Sequence, residues 1–368
     1  MKVPLLDLSK QYLSIKEEID DAIKRVLEHC RFIMGPEVSQ LEEELARYCD
    51  SKYAVAVASG TDALLLSLRA LGVGYGDEVI TTGFSFFATA GVISRLGAVP
   101  VFCDVEKRTF NIDTRLIEAK INSKTKAIMP VHLYGQMADM DSLMEIANHY
   151  NIPVVEDAAQ AIGAKYKNKV AGSIGRTSGF SFFPSKNLGA YGDGGFISTN
   201  DDELVETLRK LRVHGAKPKY HHAIVGYNSR LDTIQAAILL VKLSHLDQWH
   251  EERRRKAQLY DEQLSGLSGL ETPFVHEYNY HIYHQYTLKV KNREKLKELL
   301  KEKNIGFDTY YPLPLSLQEC YKHLLYKEGD LPVAEELSKQ VISLPVFPEI
   351  TEEQQAYVID TIKGFYSG

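Results

Sequence analysis

The chain has 368 residues, of which 44% are hydrophobic and 25% charged, and its formal net charge is −6. This composition is typical of a globular protein and excludes a disordered or fibrous chain, while the length suits two domains. The acidic balance and the lack of a long basic run argue against a nucleic-acid partner. No segment approaches the ~20 apolar residues that a transmembrane helix needs, so we expect no membrane association.

The cysteines and the first residues indicate where the protein works. Cys30, Cys49, Cys103 and Cys320 lie far apart and form no C-x-x-C pair. This pattern argues against a zinc ribbon or a disulfide framework, predicts no metal site and is typical of a reducing compartment. The first residues lack the apolar core of a secretory signal peptide. We therefore expect a cytoplasmic protein.

Short apolar segments alternate with helical patterns over the first 200 residues. Nearly continuous apolar strands separated by helices predict an α/β fold with a mostly parallel sheet covered on both faces. The predicted strands are Tyr53–Ala58, Glu78–Thr82, Ala98–Phe102, Lys126–Val131 and Pro153–Glu156. The predicted helices are Thr61–Leu71, Phe87–Leu96 and Asp139–Tyr150.

The pattern changes after Lys165. Two strands, Thr177–Phe183 and Gly195–Thr199, are joined by a glycine-rich stretch, and the Arg253–Arg255 run predicts a solvated helix face. Helices are predicted at Asp202–Val213, Thr233–Leu243 and His245–Leu264, and a smaller α+β lobe follows with a strand at His284–Val290 and helices at Arg293–Lys303 and from Glu352. We predict a large domain, residues 1–245, with N-terminal helices and a seven-stranded type of sheet, and a small domain, residues 246–368.

Ser59, Gly60 and Thr61 stand between the first predicted strand and its helix. Backbone N–H groups at a helix start, together with small hydroxyl side chains, form a pocket for an anion such as phosphate. An ordinary helix cap explains the same residues, because Ser and Thr are favoured at that position. Both interpretations stay open from this segment alone.

Asp157 closes another apolar strand, in the segment VVEDAAQAIGA, and Gln160 follows it. Open α/β sheets bind ligands at the carboxyl ends of their strands, so this acid is a candidate for ligand contact. The alternatives without a functional role are a helix cap for Asp157 and an ordinary surface amide for Gln160. Further along, Asn228 and Arg230 stand near a predicted helix start, where capping and a surface salt bridge are the alternatives.

Lys186 lies in the segment FSFFPSKNLGAYGDGG, between an apolar strand and several glycines. Most loop lysines are simply solvated. Here the aromatic and small neighbours suit a partly dry pocket, where burial lowers the pKa of an amine and frees it as a nucleophile. A phosphate pocket at an early helix, an acid at a strand end and such a lysine together describe a pyridoxal phosphate site. Lys186 would bind the aldehyde, and Asp157 would face the pyridine nitrogen.

Collinear segments along almost the whole chain match one family pattern: FIMGPEVSQLEEELARY, ASGTDALLLSLRALGVGYGDEVIT, FSFFATA, VHLYGQMADM, VEDAAQAIGA, FSFFPSKNLGAYGDGG, YNSRLDTIQAAIL and SLPVFPEIT. They resemble the DegT/DnrJ/EryC1/StrS sugar aminotransferases, which have the fold of type I pyridoxal-phosphate enzymes. A dehydratase subgroup carries His at the lysine position, so Lys186 favours transamination. Where relatives often carry His, this chain has Tyr310 and Ser316, which leaves the sugar open.

The resemblance implies a role for each matching residue. Lys186 resembles the lysine that binds the cofactor and acts as catalyst, and Asp157 the partner of the ring nitrogen. Gln160 resembles the contact of the ring hydroxyl, and Phe86 the aromatic residue that stacks on the ring. The phosphate cradle is implied for Ser59, Gly60, Thr61 and Ser181, a phosphate contact from the neighbouring subunit for Asn228, and the substrate side for Arg230, Tyr311 and His222.

The resemblance also implies substrates and partners. The expected reaction transfers the amino group of L-glutamate, released as 2-oxoglutarate, through the pyridoxamine phosphate form to a nucleotide-linked keto sugar. We favour C3 of a UDP-linked 3-keto-N-acetylhexosamine or its uronic acid, with a dTDP-linked 3-keto- or 4-keto-6-deoxyhexose as the alternative. The products would serve cell-envelope polysaccharide, lipopolysaccharide or antibiotic synthesis. A homodimer with shared active sites is implied. A catalytically silent nucleotide-sugar binder with a regulatory role is the alternative of another class.

Overall fold

The computed structural model describes residues 1–367. Three helices begin the chain: α1 (Leu8–Ser14), α2 (Lys16–His29) and α3 (Pro36–Tyr48). Strands and helices then alternate: β1 (Tyr53–Val57), α4 (Gly60–Ala70), β2 (Glu78–Thr82), α5 (Ala88–Arg95), β3 (Val99–Cys103), β4 (Thr125–Met129), α6 (Met140–His149) and β5 (Val155–Asp157). All the strands and helices predicted in this region are confirmed, with ends that differ by at most two residues.

The central sheet extends through the strands that follow. After the short strands β6 (Lys165–Tyr166) and β7 (Lys169–Val170) come β8 (Thr177–Ser181), β9 (Gly195–Thr199) and α7 (Asp202–Leu211). Two groups of strands, β3-β2-β4 and β1-β9-β8-β5, are joined by parallel bridges from Ile128 to Val154 and from Val131 to Asp157. The order is therefore β3-β2-β4-β5-β8-β9-β1, and only β9 runs antiparallel to its neighbours. The predicted mostly parallel sheet is confirmed.

Helices cover both faces of this sheet. Along β1, Ala54 and Ala56 belong to one apolar core, whereas Val55 and Val57 belong to another. Successive side chains of a strand point to opposite faces, so each face of β1 is buried. Two apolar faces explain why these strands read as continuous apolar runs in the sequence.

One helix, α8 (Thr233–Leu264), replaces the two that the sequence predicted at Thr233–Leu243 and His245–Leu264. That prediction was wrong: the stretch Leu243–His245 contains no Gly or Pro, the residues that interrupt helices most strongly. The predicted boundary between residues 245 and 246 falls inside this helix. The two-domain division stays a proposal.

A second apolar core lies towards the end of the chain. The last part contains β10 (Leu270–Glu271), β11 (Asn279–Tyr280), β12 (Tyr286–Val290), α9 (Arg293–Glu302), α10 (Pro332–Gln340), β13 (Val341–Leu344) and α11 (Glu352–Ser367). Strands β10, β12 and β13 form an antiparallel sheet, and their core includes Leu288, Leu296 and Val358 together with Leu264 of α8. This α+β lobe thus shares its core with the end of α8.

The Arg253–Arg255 run is not a uniformly solvated face, which corrects the prediction. Arg253 is buried and donates hydrogen bonds to the carbonyl oxygens of Tyr283, at 3.3 Å, and Val346, at 2.6 Å. Only Arg255 is exposed and pairs with Glu252 one turn away. Arg253 therefore ties α8 to the smaller lobe. Within residues 1–367, every helix is too short or too polar to cross a lipid bilayer.

Candidate active site

A cavity of about 600 Å³ opens at the carboxyl ends of β5 and β8, beside the start of α4. In open α/β sheets this edge is where ligands bind. The cavity brings together nine of the residues singled out from the sequence: Ser59, Gly60, Thr61, Phe86, Asp157, Gln160, Ser181, Lys186 and Tyr311. These residues come from segments up to about 250 positions apart; the sheet order brings most of them together, and a loop after α9 adds Tyr311.

Small residues form one wall of the cavity, where α4 begins. Ser59 caps the helix, because its hydroxyl accepts a hydrogen bond from the Asp62 N–H at 3.1 Å. A Cβ atom on Gly60 would lie 2.5 Å from the Cβ of Ser181, so only glycine lets the helix and β8 approach this closely. Hydroxyl groups and the free N–H groups of a first helical turn suit the oxygens of a phosphate group. The two interpretations of this segment are thus compatible.

Asp157 ends β5 with a buried carboxylate. Its Oδ2 accepts a hydrogen bond from Thr89 Oγ1 at 2.7 Å, and its Oδ1 accepts one from the Ala159 N–H at 3.2 Å. Burial raises the pKa of Asp157 above its usual value, against the opposing effects of these hydrogen bonds and of the Lys186 charge. A carboxylate with two fixed donors is held in one orientation at the cavity wall.

The preceding residue, Glu156, points the other way and serves the fold. Its carboxylate accepts hydrogen bonds from the N–H groups of Gly172, at 2.9 Å, and Gly175, at 2.6 Å, and lies 2.8 Å from Nε2 of His132. Burial by itself would raise the pKa of Glu156, but these hydrogen bonds bring it below its usual value. Glu156 is therefore an anchor for the strand that carries Asp157.

Lys186 lies half-buried in the segment that follows β8. Its backbone N–H donates to the carbonyl oxygen of Phe183 at 2.8 Å, which fixes the turn. Burial lowers the pKa of the Lys186 amine to about 8, although the nearby Asp157 charge opposes the change. A substantial fraction of this amine is neutral near physiological pH, which makes it a competent nucleophile and proton acceptor.

Gln160 and two aromatic residues complete the cavity. The Gln160 side-chain oxygen accepts from the Tyr134 N–H at 2.7 Å, and its Nε2 donates to the Tyr311 hydroxyl at 3.0 Å. Phe86 lies with its ring centre 6.3 Å from that of Tyr311, and 56% of its surface is exposed. The amide is fixed in one orientation, and the Phe86 ring offers a free face to a flat ligand.

Three predicted residues lie outside this cavity. Asn228 and His222 are exposed, and the Nδ1 atom of His222 lies 2.9 Å from the His214 carbonyl oxygen. Arg230 is half-buried, and its Nε atom has no partner among the described residues. None of the three lines the cavity of its own chain.

Sequence reasoning missed two residues in the cavity wall, Ser85 and Thr89. Both lie in or beside the FSFFATA segment, four positions apart, and both are buried. A spacing of four residues places hydroxyl groups on one side of a helical turn, which was the available signal. His284 also lines the cavity, and its Nδ1 atom lies 3.2 Å from Oδ1 of Asn187.

Known proteins share both the sequence and the fold of this chain. The profile of the DegT/DnrJ/EryC1/StrS aminotransferase family matches residues 13–363. A pleiotropic regulatory protein of Geobacillus stearothermophilus is 54% identical over 100% of this chain and 99% of its own. The UDP-2-acetamido-2-deoxy-3-oxo-D-glucuronate aminotransferase of Pseudomonas aeruginosa is 47% identical over 94% of this chain and 95% of its own. The dTDP-3-amino-3,4,6-trideoxy-alpha-D-glucose transaminase of Streptomyces venezuelae is 42% identical over 98% and 96%.

Solved structures of aminotransferases superpose on the whole chain. DesV of S. venezuelae, in complex with a ketimine intermediate, has a TM-score of 0.98 at 42% identity, covering 100% of this chain and 99% of its own. The NtdA protein of Bacillus subtilis, with bound cofactor PMP, has a TM-score of 0.93 at 34% identity, covering 100% and 86%. The predicted fold type I is confirmed.

Proposed function

The chain belongs to the DegT/DnrJ/EryC1/StrS aminotransferase family, and we propose that it transfers the amino group of L-glutamate to C3 of a UDP-linked 3-keto-N-acetylhexosamine or its uronic acid. That it is a pyridoxal-phosphate-dependent sugar aminotransferase follows from the family and its structural neighbours. One observation carries the proposal furthest. A single cavity joins a half-buried lysine, a buried carboxylate, an oriented amide and the small residues at the start of a helix.

The residues of the cavity fit pyridoxal phosphate. Gly60 packs directly against Ser181, where a Cβ atom would not fit, so the start of α4 and the Ser181 hydroxyl lie side by side, which suits a phosphate group at the start of α4. Asp157 would hold the pyridine nitrogen, and Phe86 would stack on the ring. Gln160 has a second N–H for the ring hydroxyl, because an amide nitrogen carries two and Tyr311 takes one. When bound, the cofactor supplies an aldehyde for the amine and an electron sink for the substrate carbon.

Lys186 would perform the proton transfers. Its Nζ would hold the cofactor at rest and, once freed by the substrate amine, would take the proton from the substrate carbon and deliver it to the aldehyde carbon of the cofactor. A pKa of about 8 favours this double use, because efficient general acid–base groups titrate near the operating pH. Asp157, kept ionised, would stabilise positive charge on the ring nitrogen. Burial of the cavity floor would keep water from competing for these protons.

The choice of sugar is supported by the relatives. The P. aeruginosa protein, named for a UDP-linked 3-oxo sugar acid, is 47% identical, whereas the S. venezuelae protein, named for a dTDP-linked sugar, is 42% identical. The difference is small, so a dTDP-linked 3-keto- or 4-keto-6-deoxyhexose is the second candidate. Tyr311, fixed by Gln160, would contact the substrate in either case.

We include a homodimer with shared active sites in the proposal. Asn228, Arg230 and His222 lie outside the cavity of their own chain, which agrees with a role in the active site of the partner subunit. The segment that carries His222 also exposes apolar side chains, among them Val225 at 85%. Asn228 would reach the cofactor phosphate, and Arg230 and His222 the substrate side.

The amino-acceptor test uses the pyridoxamine phosphate form of the purified enzyme. A panel of UDP- and dTDP-linked 3-keto and 4-keto sugars is added, and the return of the visible absorption of the pyridoxal form is followed. We expect the UDP-linked 3-keto-N-acetyl sugar or its uronic acid to react fastest. Faster reaction with a dTDP-linked 6-deoxy sugar would contradict the substrate and leave the chemistry standing.

A regulatory, catalytically silent protein is the competing hypothesis, since one relative is named a pleiotropic regulatory protein. A silent protein has no need for the joint presence of Lys186, Asp157 and Gln160 in one cavity. Glutamate separates the two hypotheses. It converts the yellow pyridoxal form of an active enzyme to the colourless pyridoxamine form, whereas a silent protein keeps its spectrum.

Replacing Gly60 by alanine is expected to weaken pyridoxal phosphate binding about ten-fold or more. The new Cβ would lie 2.5 Å from Ser181 Cβ, and such overpacking typically costs ~1–3 kcal/mol. Equilibrium titration of the apoprotein with the cofactor measures the effect. Gly74→Ala is the matched control, because a Cβ there has no neighbour within 4 Å. If both variants bound pyridoxal phosphate with equal affinity, the phosphate site could not lie at Gly60.

A further inference from the structure

A row of buried oxygen-bearing side chains lies in the cavity wall. Ser85, Thr89 and Asp157 are 3%, 1% and 4% exposed. The Oγ of Ser85 lies 3.0 Å from Oγ1 of Thr89, which lies 2.7 Å from Oδ2 of Asp157. Ser85 lies just before α5, and Thr89 belongs to the first turn of that helix. The start of α5 therefore positions both hydroxyl groups beside Asp157.

The direction of these hydrogen bonds follows from proton counting. An ionised carboxylate can only accept, so Thr89 gives its single hydroxyl proton to Asp157. Thr89 then has no proton left for Ser85. The 3.0 Å contact between the two hydroxyl oxygens must therefore be donated by Ser85. Both O–H dipoles point towards the carboxylate, and hydrogen bonds in such a chain strengthen one another.

The carboxylate needs this support because burial disfavours its charge. Three titratable groups face Asp157 from other segments: Lys186, His132 and Tyr311. Charge on Lys186 would favour the ionised acid, but Lys186 loses charge as pH rises, because its pKa is lowered to about 8. The Thr89 hydroxyl, in contrast, donates its hydrogen bond at any physiological pH.

We propose that Thr89, backed by Ser85, is a positioning residue that holds the Asp157 carboxylate ionised and aimed at the pyridine nitrogen of the cofactor. The inference rests on the proposed role of Asp157. It adds that hydrogen bonding by Thr89 and Ser85 keeps this carboxylate ionised and oriented. The single hydroxyl proton of Thr89 goes to the Asp157 carboxylate. Thr89 would act only through Asp157, so its effect should depend on the presence of the ring nitrogen.

The test compares pyridoxal phosphate with its 1-deaza analogue, in which a C–H group replaces the ring nitrogen. Dissociation constants of both are measured for the full-length apoprotein and its variants, and the preference for the nitrogen-containing ligand is the readout. We expect Thr89→Val to lower this preference about ten-fold, the scale of one charge-assisted hydrogen bond. Thr89→Ser should restore it, and Ser85→Ala should lower it about two- to three-fold.

Thr199→Val is the matched control. Thr199 is also buried, donates to the Arg176 carbonyl oxygen at 2.8 Å and accepts from the Asp201 N–H at 3.2 Å, but it lies at the far end of β9 from the cavity. This variant should keep the full preference. The proposal would be overturned if Thr89→Val lowered the affinity for both ligands equally, or if it left both affinities unchanged.

Two results separate this inference from the proposed function. A wild-type protein without preference for the ring nitrogen would contradict the role of Asp157 itself. A wild-type preference that survives in Thr89→Val would contradict only the role of Thr89. Should Thr89→Val fail to fold, Ser85→Ala carries the decision, since the preference must fall in that variant as well.

Discussion

Replacing Lys186 by alanine is expected to abolish both turnover and covalent attachment of pyridoxal phosphate. The half-buried amine, with its pKa lowered to about 8, is the only lysine nitrogen that lines the cavity within the described residues. Loss of the proton transfer alone typically costs ~10²–10⁴-fold in rate, and loss of the covalent link adds to it. Turnover and the visible absorption of the loaded protein measure the two effects.

The Lys165→Ala variant serves as the control for this experiment. Lys165 is exposed in β6 and does not line the cavity, so turnover and absorption should match the wild type. An intact visible band in the Lys186→Ala variant would remove Lys186 from the account. Loss of the band in both variants would indicate damage to the fold instead.

Replacing Asp157 by asparagine is expected to leave cofactor binding measurable but to reduce turnover by about 10²-fold or more. The amide has nearly the shape of the carboxylate and can still accept the Thr89 hydrogen bond. It carries no negative charge for the ring nitrogen, and removal of one preorganised electrostatic contact typically costs ~10²–10³-fold. Steady-state rates with glutamate and a keto sugar measure this loss.

The same substitution has a stability signature with a defined sign. The pKa of Asp157 is raised in the folded protein, so ionisation at neutral pH costs stability, and that cost is relieved as pH falls through the folded pKa. Asp157→Asn should therefore be at least as stable as the wild-type apoprotein at neutral pH, and the difference should shrink at acidic pH.

Asp104→Asn is the matched control for charge removal. Asp104 is also buried and accepts hydrogen bonds from the N–H groups of Val333 and Ala334, both at 2.9 Å, away from the cavity. Its asparagine variant should lose stability and keep its turnover. Near-normal rates in Asp157→Asn would contradict the assigned role of this acid.

Local sequence patterns were sufficient for the sheet and for most of the cavity. Apolar runs identified the strands of the large sheet because both of its faces are buried. Asp157 stands at the end of one such strand and Lys186 a few residues after another, and parallel strands bring their carboxyl ends to one edge. The sequence alone therefore predicts that these two residues lie near each other.

Contacts between distant segments explain what local patterns missed. Arg253 looks like part of a charged surface run, but its acceptors, the carbonyl oxygens of Tyr283 and Val346, lie in other segments. Thr89 looks like an ordinary helical residue until the sheet order brings β5 beside it. The single helix α8 replaces two predicted helices, although the sequence between them contains no residue that breaks a helix strongly.

The most direct test of the account is chemical trapping of the cofactor. Lys242 is a fair competitor for Lys186, because it is buried, donates to the Gly189 carbonyl oxygen and has its pKa lowered to about 8. The loaded enzyme is reduced with borohydride, digested and mapped by mass spectrometry. We expect the phosphopyridoxyl group on Lys186 alone. Its recovery on Lys242, or on no lysine, would contradict the account.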